Sequence, residues 1–316
     1  MFDKTVAVVV PAYNEEKQIG NVLKTIPHFV DRIIVINDCS KDNTANVVLS
    51  YINEKRAIGK VIRQVSSASN GNEYDRADKM LKEKREQDIQ LYARSEIANA
   101  YPDTDRIILI NHLKNSGVGA AIAQGYKWCL DHNIDCTAVM AGDGQMDPSE
   151  LEKICTDTQT GYTAISLAAL NAIKIHKIYP RYGMPNDLLV KLNIAFCTIK
   201  EIKIKPVYNI GETSKMQVPK VIPLIAWLLF KSFFRRLWAK YLFRDFHPLF
   251  LLYHFSILVG IMALPYAIKV FILTLSGETV SPTTMLAFFF LFTSSFQSLL
   301  FAMWMDIQDN ERLYKS

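Results

Sequence analysis

The sequence is poor in cysteine and has no close pair of cysteines. Its 316 residues include five, odd in number and scattered without a CxxC spacing (Cys39, Cys129, Cys136, Cys155 and Cys197). A zinc site on paired cysteines and a disulfide framework are therefore not indicated, and we expect reduced, mostly buried thiols in a cytosolic compartment. Glycine (13) and proline (12) are also few, which excludes a low-complexity chain.

Two further signals are missing. Met1–Lys4 leads straight into a strand pattern, so we expect no secretory signal peptide. The segment 66–105 is rich in charge but not in charge of one sign, because acids and bases are balanced in it. We interpret it as a charged insertion with a surface helix over Ala77–Ala100, and not as an arm that binds nucleic acid.

Long hydrophobic runs are present near the C-terminus. Leu249–Ile268 and Thr279–Met305 carry no formal charge. A 20-residue helix is ~30 Å long, which matches the bilayer core. The alternative is a pair of buried core helices, but such helices rarely run this long without charge. We therefore expect two membrane spans.

Basic residues precede the first span (Lys231, Arg235, Arg236, Lys240 and Arg244). By the positive-inside rule, both ends of the hairpin and the whole N-terminal part are expected in the cytoplasm. Val218–Phe243 mixes the first four of these cations with many apolar residues, which is typical of a helix lying on the inner leaflet. A soluble amphipathic helix packing on the N-terminal domain is the alternative.

The N-terminal two thirds alternates strand and helix patterns, which predicts an α/β fold with a mostly parallel sheet. The strand patterns are Thr5–Val10, Arg32–Ile36, Lys60–Val65, Arg106–Ile110 and Thr137–Ala141, with helices over Glu15–Ile26, Asp42–Tyr51 and Gly117–Leu130. Ligands bind such sheets outside the carboxyl ends of the strands. Three polar motifs follow strands, namely Tyr13-Asn14-Glu15, Asn37-Asp38 and Asp143-Gly144-Gln145. We expect all three on one edge of the sheet.

Four features of this edge are candidates for binding or catalysis, and three of them have an alternative role. Asp143, beside a glycine, suits Mg²⁺ or Mn²⁺ bridging two phosphates. Asp147 either assists it or caps the helix at Pro148. Asp38 either accepts hydrogen bonds from a base or ribose, or caps the next helix. The Asn115–Gly119 turn either offers backbone N–H groups to an anion or permits close packing of a helix on the sheet.

Four motifs in order carry a specific resemblance. VVVPAYNEE, IIVINDCSKDNT, NSGVGAAIAQGY and VMAGDGQMDP resemble the family 2 glycosyltransferases with a GT-A fold, and the similarity continues through TQTGYTAIS, PNDLLVKL and YNIGETSKM. With its paired C-terminal spans the chain is similar to polyprenyl-phosphate sugar transferases of the dolichol-phosphate mannose synthase type. The similarity covers about Thr5–Val61, Asp105–Glu152 and Thr158 to the end.

The resemblance implies roles on the donor side of an active site. A nucleotide pocket would be lined by Pro11, Ala12, Tyr13 and Glu15, with Asp38 binding the base. Asp143 matches the second acid of the family's DxD metal motif, and Gln145 follows it near the sugar.

On the acceptor side, Asp187 matches an acidic position and Lys215 matches a basic residue that contacts phosphates. Metal and Lys215 would neutralise the departing diphosphate. A phosphate acceptor is already ionised and needs little help from a base, and direct displacement would invert the anomeric centre.

The chain departs from the family pattern in two places. The first acid of the DxD motif is Ala141, which leaves one protein carboxylate for a metal. The connection 148–161 is short, where family members carry some tens of residues with part of the acceptor side. Arg181 and the basic helix are candidates to substitute for it.

These observations predict a GT-A domain over 1–216, an amphipathic interfacial helix over 217–246, and a two-helix membrane hairpin with a short cytoplasmic tail over 247–316. The expected activity is transfer of a sugar from a GDP- or UDP-linked donor to a polyprenyl phosphate. Two alternatives are transfer to a glycan or other lipid in cell-envelope polysaccharide synthesis, and a non-catalytic nucleotide-binding relative. The sequence does not predict the oligomeric state.

Overall fold

The computed structural model describes residues 4–54, 61–62, 87–156, 163–202 and 218–315. The chain forms two compact units, Met1–Leu229 and Phe230–Lys315. The strands are β1 Val6–Ala12, β2 Arg32–Asn37, β3 Ser95–Ile97, β4 Ile107–His112, β5 Cys136–Val139, β6 Thr163–Ser166, β7 Ile199–Lys200 and β8 Tyr314–Lys315. The helices are α1 Ile19–Thr25, α2 Thr44–Glu54, α3 Val118–Asp131, α4 Leu151–Thr156, α5 Leu167–Ala172, α6 Met184–Ile194, α7 Val218–Trp238, α8 Pro248–Leu275 and α9 Pro282–Glu311.

A six-stranded sheet of order β3-β4-β2-β1-β5-β6 organises the first unit. The pairs β1/β2, β1/β5 and β2/β4 are parallel, whereas β3 and β6 pair antiparallel at the two edges. The central strands are buried on both faces because they are runs of Val and Ile. The prediction of a mostly parallel sheet flanked by helices is confirmed.

Alternate residues of each strand belong to opposite cores. Ala7 and Val9 of β1 join a cluster with residues of α3, α5 and α6. Val8 and Val10 join another with residues of α1, α2 and α4. The sheet is therefore held between two layers of helices.

Two predicted boundaries are wrong. β1 does not end at Pro11 but continues to Ala12, with Pro11 opposite Ile36 of β2. Strand pairing between β1 and β5 stops at Val9. At Pro11, β1 therefore has no ladder partner on the β5 side, and the missing N–H of proline is tolerated there.

The helix predicted over Ala77–Ala100 is wrong in its last part, because Ser95–Ile97 forms β3. This strand covers the open edge of β4, and Asn99 extends the pairing. Its Oδ1 accepts from Leu109 N at 2.7 Å, and its Nδ2 donates to Ile107 O at 2.8 Å. Sheet-edge hydrogen bonding here overrides the local helical charge pattern. Of the predicted strand Lys60–Val65 only residues 61 and 62 are described, and neither lies in a strand.

In the second unit, α8 and α9 pack against each other. Both are long and apolar enough to cross a membrane. Ser256 Oγ donates to Ser295 O and Ser295 Oγ donates to Ser256 O, each at 2.9 Å. A Cβ on Gly260 would lie 3.0 Å from Ser295 Oγ. These small residues allow the close approach on which helix pairs in lipid depend.

A buried polar network closes one end of this unit. Helix α7 passes at Trp238 into a π-helix, Ala239–Arg244. Asp306 of α9 accepts hydrogen bonds from Arg236 Nη1 at 3.1 Å and Tyr241 Oη at 2.7 Å. Lys240 Nζ lies 2.9 Å from Asp309 Oδ2. The end of α9 and the segment before α8 are thus joined by charge-assisted hydrogen bonds.

We expect Asp306→Ala to destabilise the second unit by ~1–3 kcal/mol, because it removes the shared acceptor of the partly buried Arg236 and of Tyr241, which keeps Asp309 as its other acceptor. Thermal unfolding of the detergent-solubilised chain measures this. The control is Arg312→Ala, whose side chain is 57% exposed in its pair with Asp309, so the expected cost is about 0–1 kcal/mol. Equal shifts for the two variants would contradict the proposed importance of the network.

Candidate active site

A cavity of about 500 Å³ opens at the carboxyl edge of the sheet. Its walls come from the loops after β1, β2 and β5 and from the turn before α3. The lining residues are Pro11, Ala12, Tyr13, Glu15, Asp38, Asn115, Ser116, Gly117, Val118, Ala121, Ala141, Gly142, Asp143, Arg181 and Tyr182. The expectation that the three polar motifs share one edge is confirmed.

The loops after β1 and β2 are joined by hydrogen bonds between side chains and backbone. Asn14, at φ 56, accepts from Lys41 N at 2.8 Å, and its own N–H donates to Ser40 Oγ at 3.0 Å. Asparagine tolerates this left-handed conformation better than most residues. Glu15 N donates to the buried Thr44 Oγ1 at 2.9 Å. Tyr13 and Glu15 therefore reach the cavity from a braced loop.

Asp38 is buried and holds the turn before α3. Its Oδ1 lies 2.8 Å from His112 Nδ1 and accepts from Ser116 N at 2.8 Å, and its Oδ2 accepts from Gly117 N at 2.7 Å. Burial raises the pKa of Asp38, but these hydrogen bonds together bring that pKa below its ordinary value of 3.8. The alternative of a cap on α2 is wrong, because Asp42 accepts from Thr44 N there.

Both interpretations of the Asn115–Gly119 turn hold in part. Its N–H groups do meet an anion, but that anion is the Asp38 carboxylate. Gly119 N donates instead to Pro180 O at 2.9 Å. Close packing is also present, since a Cβ on Gly119 would lie 2.0 Å from Tyr179 O, and one on Gly125 would lie 2.3 Å from Val9 Cγ1.

Asp143 lies half-buried in the cavity wall. Its Oδ1 accepts from Gln145 N at 3.0 Å, and Gly144 has φ 76. Gln145 is exposed and does not line the cavity. Asp147 caps the 3₁₀ turn Pro148–Glu150 by accepting from Ser149 N at 2.9 Å. The capping role predicted as an alternative for Asp147 is thus observed.

Three carboxylates line the described part of the cavity, Glu15, Asp38 and Asp143, and of these Asp143 is the candidate metal ligand. No described residues form a group of three or more His, Cys, Asp or Glu side chains suited to hold a metal ion. Asp38 already accepts three hydrogen bonds on its two oxygens, which leaves one acceptor position and little room for a cation. Asp143 keeps Oδ2 without a hydrogen bond from any described residue. A Mg²⁺ ion there would therefore need further oxygen ligands from water or from a substrate.

Arg181 and Tyr182 form a wall that the sequence only partly predicted. Arg181 is the cationic side chain among the described lining residues. Tyr182 was not anticipated, and no motif marks it. No sequence motif marks His112 either, because its partner Asp38 lies 74 residues earlier.

Of the two residues assigned to the acceptor side, one lies outside the cavity lining and the other is not described. Asp187 is 2% exposed and is not among the lining residues. Lys215 lies outside the described residues. The structure brings together Pro11, Ala12, Tyr13, Glu15, Asp38 and Asp143, but not Gln145 or Asp187.

Asp38→Asn should cost ~1–3 kcal/mol at neutral pH, because an amide cannot accept from all three donors. A carboxyl group whose pKa is lowered by folding stabilises the fold at any pH above its ordinary pKa. This contribution is lost as the pH falls through the pKa of the folded state. The difference in unfolding free energy between wild type and variant should therefore shrink below pH 3.8. Urea unfolding in detergent from neutral to acidic pH measures it, with the exposed Glu201→Gln as control. A difference independent of pH would contradict the assignment.

Comparison with known proteins agrees with the motifs at the cavity. Residues 7–69 match the model of the glycosyl transferase family 2. Over 155 residues the chain is 26% identical to a UDP-N-acetylglucosamine–dolichyl-phosphate N-acetylglucosaminyltransferase of Methanococcus voltae, covering 49% of this chain and 47% of that protein. Over 65 residues it is 45% identical to a dolichyl-phosphate beta-glucosyltransferase of Trichomonas vaginalis, covering 16% of this chain and 20% of that protein.

The chain thus spans half or less of the length of these curated relatives. Among solved structures, it is similar to glucosyl-3-phosphoglycerate synthase from Mycobacterium tuberculosis in complex with UDP, at TM-score 0.41 and 13% identity, covering 74% of this chain and 80% of that one. The matched segment includes β1, β2 and the loops that carry Tyr13, Glu15 and Asp38 into the cavity. Residues 7–69, which carry this part of the cavity, therefore match the glycosyl transferase family 2.

Proposed function

We propose that the protein is a membrane-bound glycosyltransferase that moves a sugar from a nucleotide diphosphate sugar to a polyprenyl phosphate. The observation that carries the proposal is a single cavity lined by Asp38, Asp143 and Arg181 in a chain with two apolar helices. The names of the two relatives support a dolichyl-type phosphate acceptor, and one of them supports a UDP-linked donor over a GDP-linked one.

The nucleotide base would be recognised by Asp38. A carboxylate offers about four acceptor positions, and three N–H groups of the chain already use the two oxygens of Asp38. The remaining position suits one N–H donor from a base. Because Asp38 is fixed by its own chain, it would bind this donor without a rearrangement, while Pro11, Ala12 and Tyr13 enclose the nucleotide.

The diphosphate would lie between Asp143 and Arg181. A guanidinium pairs with phosphate oxygens through two parallel N–H groups. Asp143 would hold a Mg²⁺ or Mn²⁺ ion, which, when bound, offsets the charge that develops on the leaving diphosphate. Gln145 donates to Asp143 only through its backbone, so any contact of its side chain with the sugar would need a movement of this exposed loop.

The transfer needs no strong base. One oxygen of the acceptor phosphate forms a bond to the anomeric carbon as the bond from that carbon to the donor diphosphate breaks. The electron pair leaves with the nucleoside diphosphate, and no proton has to be removed from the acceptor. Displacement from the opposite face inverts the anomeric centre. Glu15 and Asp38 would therefore act in binding and not as proton acceptors.

A lipid acceptor requires the cavity to work at a membrane surface. Helix α7 exposes large apolar side chains in its first half, among them Ile222, Leu224 and Trp227. An amphipathic helix with this composition inserts its apolar face among lipid headgroups. The basic residues that follow favour the inner leaflet, which supports a cytoplasmic location for the sugar transferase domain.

Asp143→Ala and Arg181→Ala should each lower turnover on the order of 10²-fold or more, because each removes charge stabilisation at the departing diphosphate. The assay is transfer of labelled sugar from UDP- and GDP-sugars to polyprenyl phosphate with Mg²⁺ or Mn²⁺, in detergent. Lys177→Ala, an exposed cation outside the cavity lining, should retain wild-type turnover. Nucleotide binding by calorimetry without turnover of any donor would instead favour the non-catalytic relative.

The acceptor class is tested at Lys215, which the sequence resemblance assigns to phosphate binding. Lys215→Ala should reduce transfer to polyprenyl phosphate more than transfer to a glycan hydroxyl, since only the former brings a second ionised phosphate into the cavity. The ratio of kcat/KM for the two acceptors measures the effect. An equal loss for both acceptors would contradict a phosphate-binding role for Lys215.

A further inference from the structure

Arg181 and Tyr182 reach the cavity from a short segment that is fixed at both ends. Ile178 and Met184 flank it and are 5% and 4% exposed, and both belong to the core on one face of the sheet. Between them the chain passes over the surface, and Arg181 and Tyr182 are exposed. The placement of Arg181 therefore depends on what holds the backbone of residues 179–182.

One side of this segment is held by Asp187. Its Oδ2 accepts a hydrogen bond from Tyr179 N at 2.9 Å, and the same oxygen forms an ion pair with Lys191 one turn further along α6. Asp187 lies in the first turn of α6, where the helix dipole favours a carboxylate. The side chain is thus committed to the backbone of the segment and to its own helix.

The other side is held by the turn before α3. Gly119 N donates to Pro180 O at 2.9 Å. A Cβ on Gly117 would lie 2.4 Å from Pro180 O, so this backbone contact excludes any side chain. The backbone of residues 179 and 180 is therefore held by Asp187 on one side and by Gly117 and Gly119 on the other. The turn that carries these glycines is itself fixed by Asp38.

We propose that Asp187 is a positioning residue that acts through Arg181. The resemblance to known enzymes suggested a place for it near the acceptor, but it is 2% exposed and outside the cavity lining, so it does not reach a substrate from there. Its carboxylate holds Tyr179 so that Arg181, two residues on, points its charge at the phosphates. This inference rests on the proposed function for the role of Arg181.

The test compares Asp187→Asn with Asp187→Ala, each with and without Arg181→Ala. Asparagine keeps an acceptor oxygen for Tyr179 N, whereas alanine removes it. Asp131→Ala is the matched control, because Asp131 also pairs with a lysine one turn away, Lys127, but at the far end of α3 from the cavity. Two double variants, Asp187→Asn/Lys191→Met and Asp187→Ala/Lys191→Met, also remove the lysine charge that pairs with Asp187.

Asp187→Ala should lower kcat/KM by about 10- to 100-fold, since displacing a positioned charge by about 1 Å costs this much. Asp187→Asn should stay within about threefold of wild type, because the hydrogen bond to Tyr179 persists. In the Arg181→Ala background, Asp187→Ala should cost less than about twofold more, as expected of residues that act as one unit. Additive losses, or an asparagine variant as inactive as alanine, would overturn the proposal.

Hydrogen exchange gives a readout that does not need turnover. The Tyr179 amide should exchange at least about tenfold faster in Asp187→Ala than in wild type, and at the wild-type rate in Asp131→Ala. If wild type transfers no sugar, the proposed function fails, and the exchange rate still decides whether Asp187 holds the segment. An unchanged Tyr179 amide would overturn the positioning role regardless of activity.

Discussion

The Asp38 carboxylate is the interaction on which the cavity depends. It stands at the end of β2 and accepts hydrogen bonds from His112 and from the N–H groups of Ser116 and Gly117. A buried carboxylate is costly unless donors surround it, so the turn before α3 must fold around it. The two loops are 74 to 79 residues apart in sequence, and the parallel pairing of β2 with β4 brings them together. Fold and site are therefore stabilised by the same contact.

From this carboxylate the wall of the cavity continues without a break. The turn that Asp38 fixes presents Gly117 and Gly119 to Pro180, and Asp187 holds Tyr179 from the other side. Each contact involves backbone, which cannot adjust as a flexible side chain does. Arg181 is thus carried by a preorganised frame, which is the condition under which a charge stabilises a transition state most effectively. Asp187, which is buried behind this wall, can therefore affect the proposed reaction without contacting the substrate.

Strand and helix order was predictable because the signals are local. Runs of Val and Ile mark β1 and β2, and polar residues directly after them mark the binding edge. The strand β3 was not predictable, since its residues Ser95–Ile97 follow a charged stretch with helical spacing and pair only because β4 offers an open edge. The same limit applies to the site. Asp38 was identified from its place after a strand, whereas His112 and Tyr182 gain their roles only from contacts between distant segments.

With alanine at position 141, the cavity has one negative charge fewer than the DxD motif would give it. An acid there would add a negative charge beside Asp143 and a second carboxylate ligand for a divalent cation. With alanine, the wall keeps Glu15, Asp38 and Asp143 against Arg181, and the charge of Asp38 is already offset by three donors. A cation held by Asp143 alone would take its other oxygen ligands from water and from the diphosphate of the proposed donor. Metal and donor would then enter together, and each would stabilise binding of the other by the same free energy.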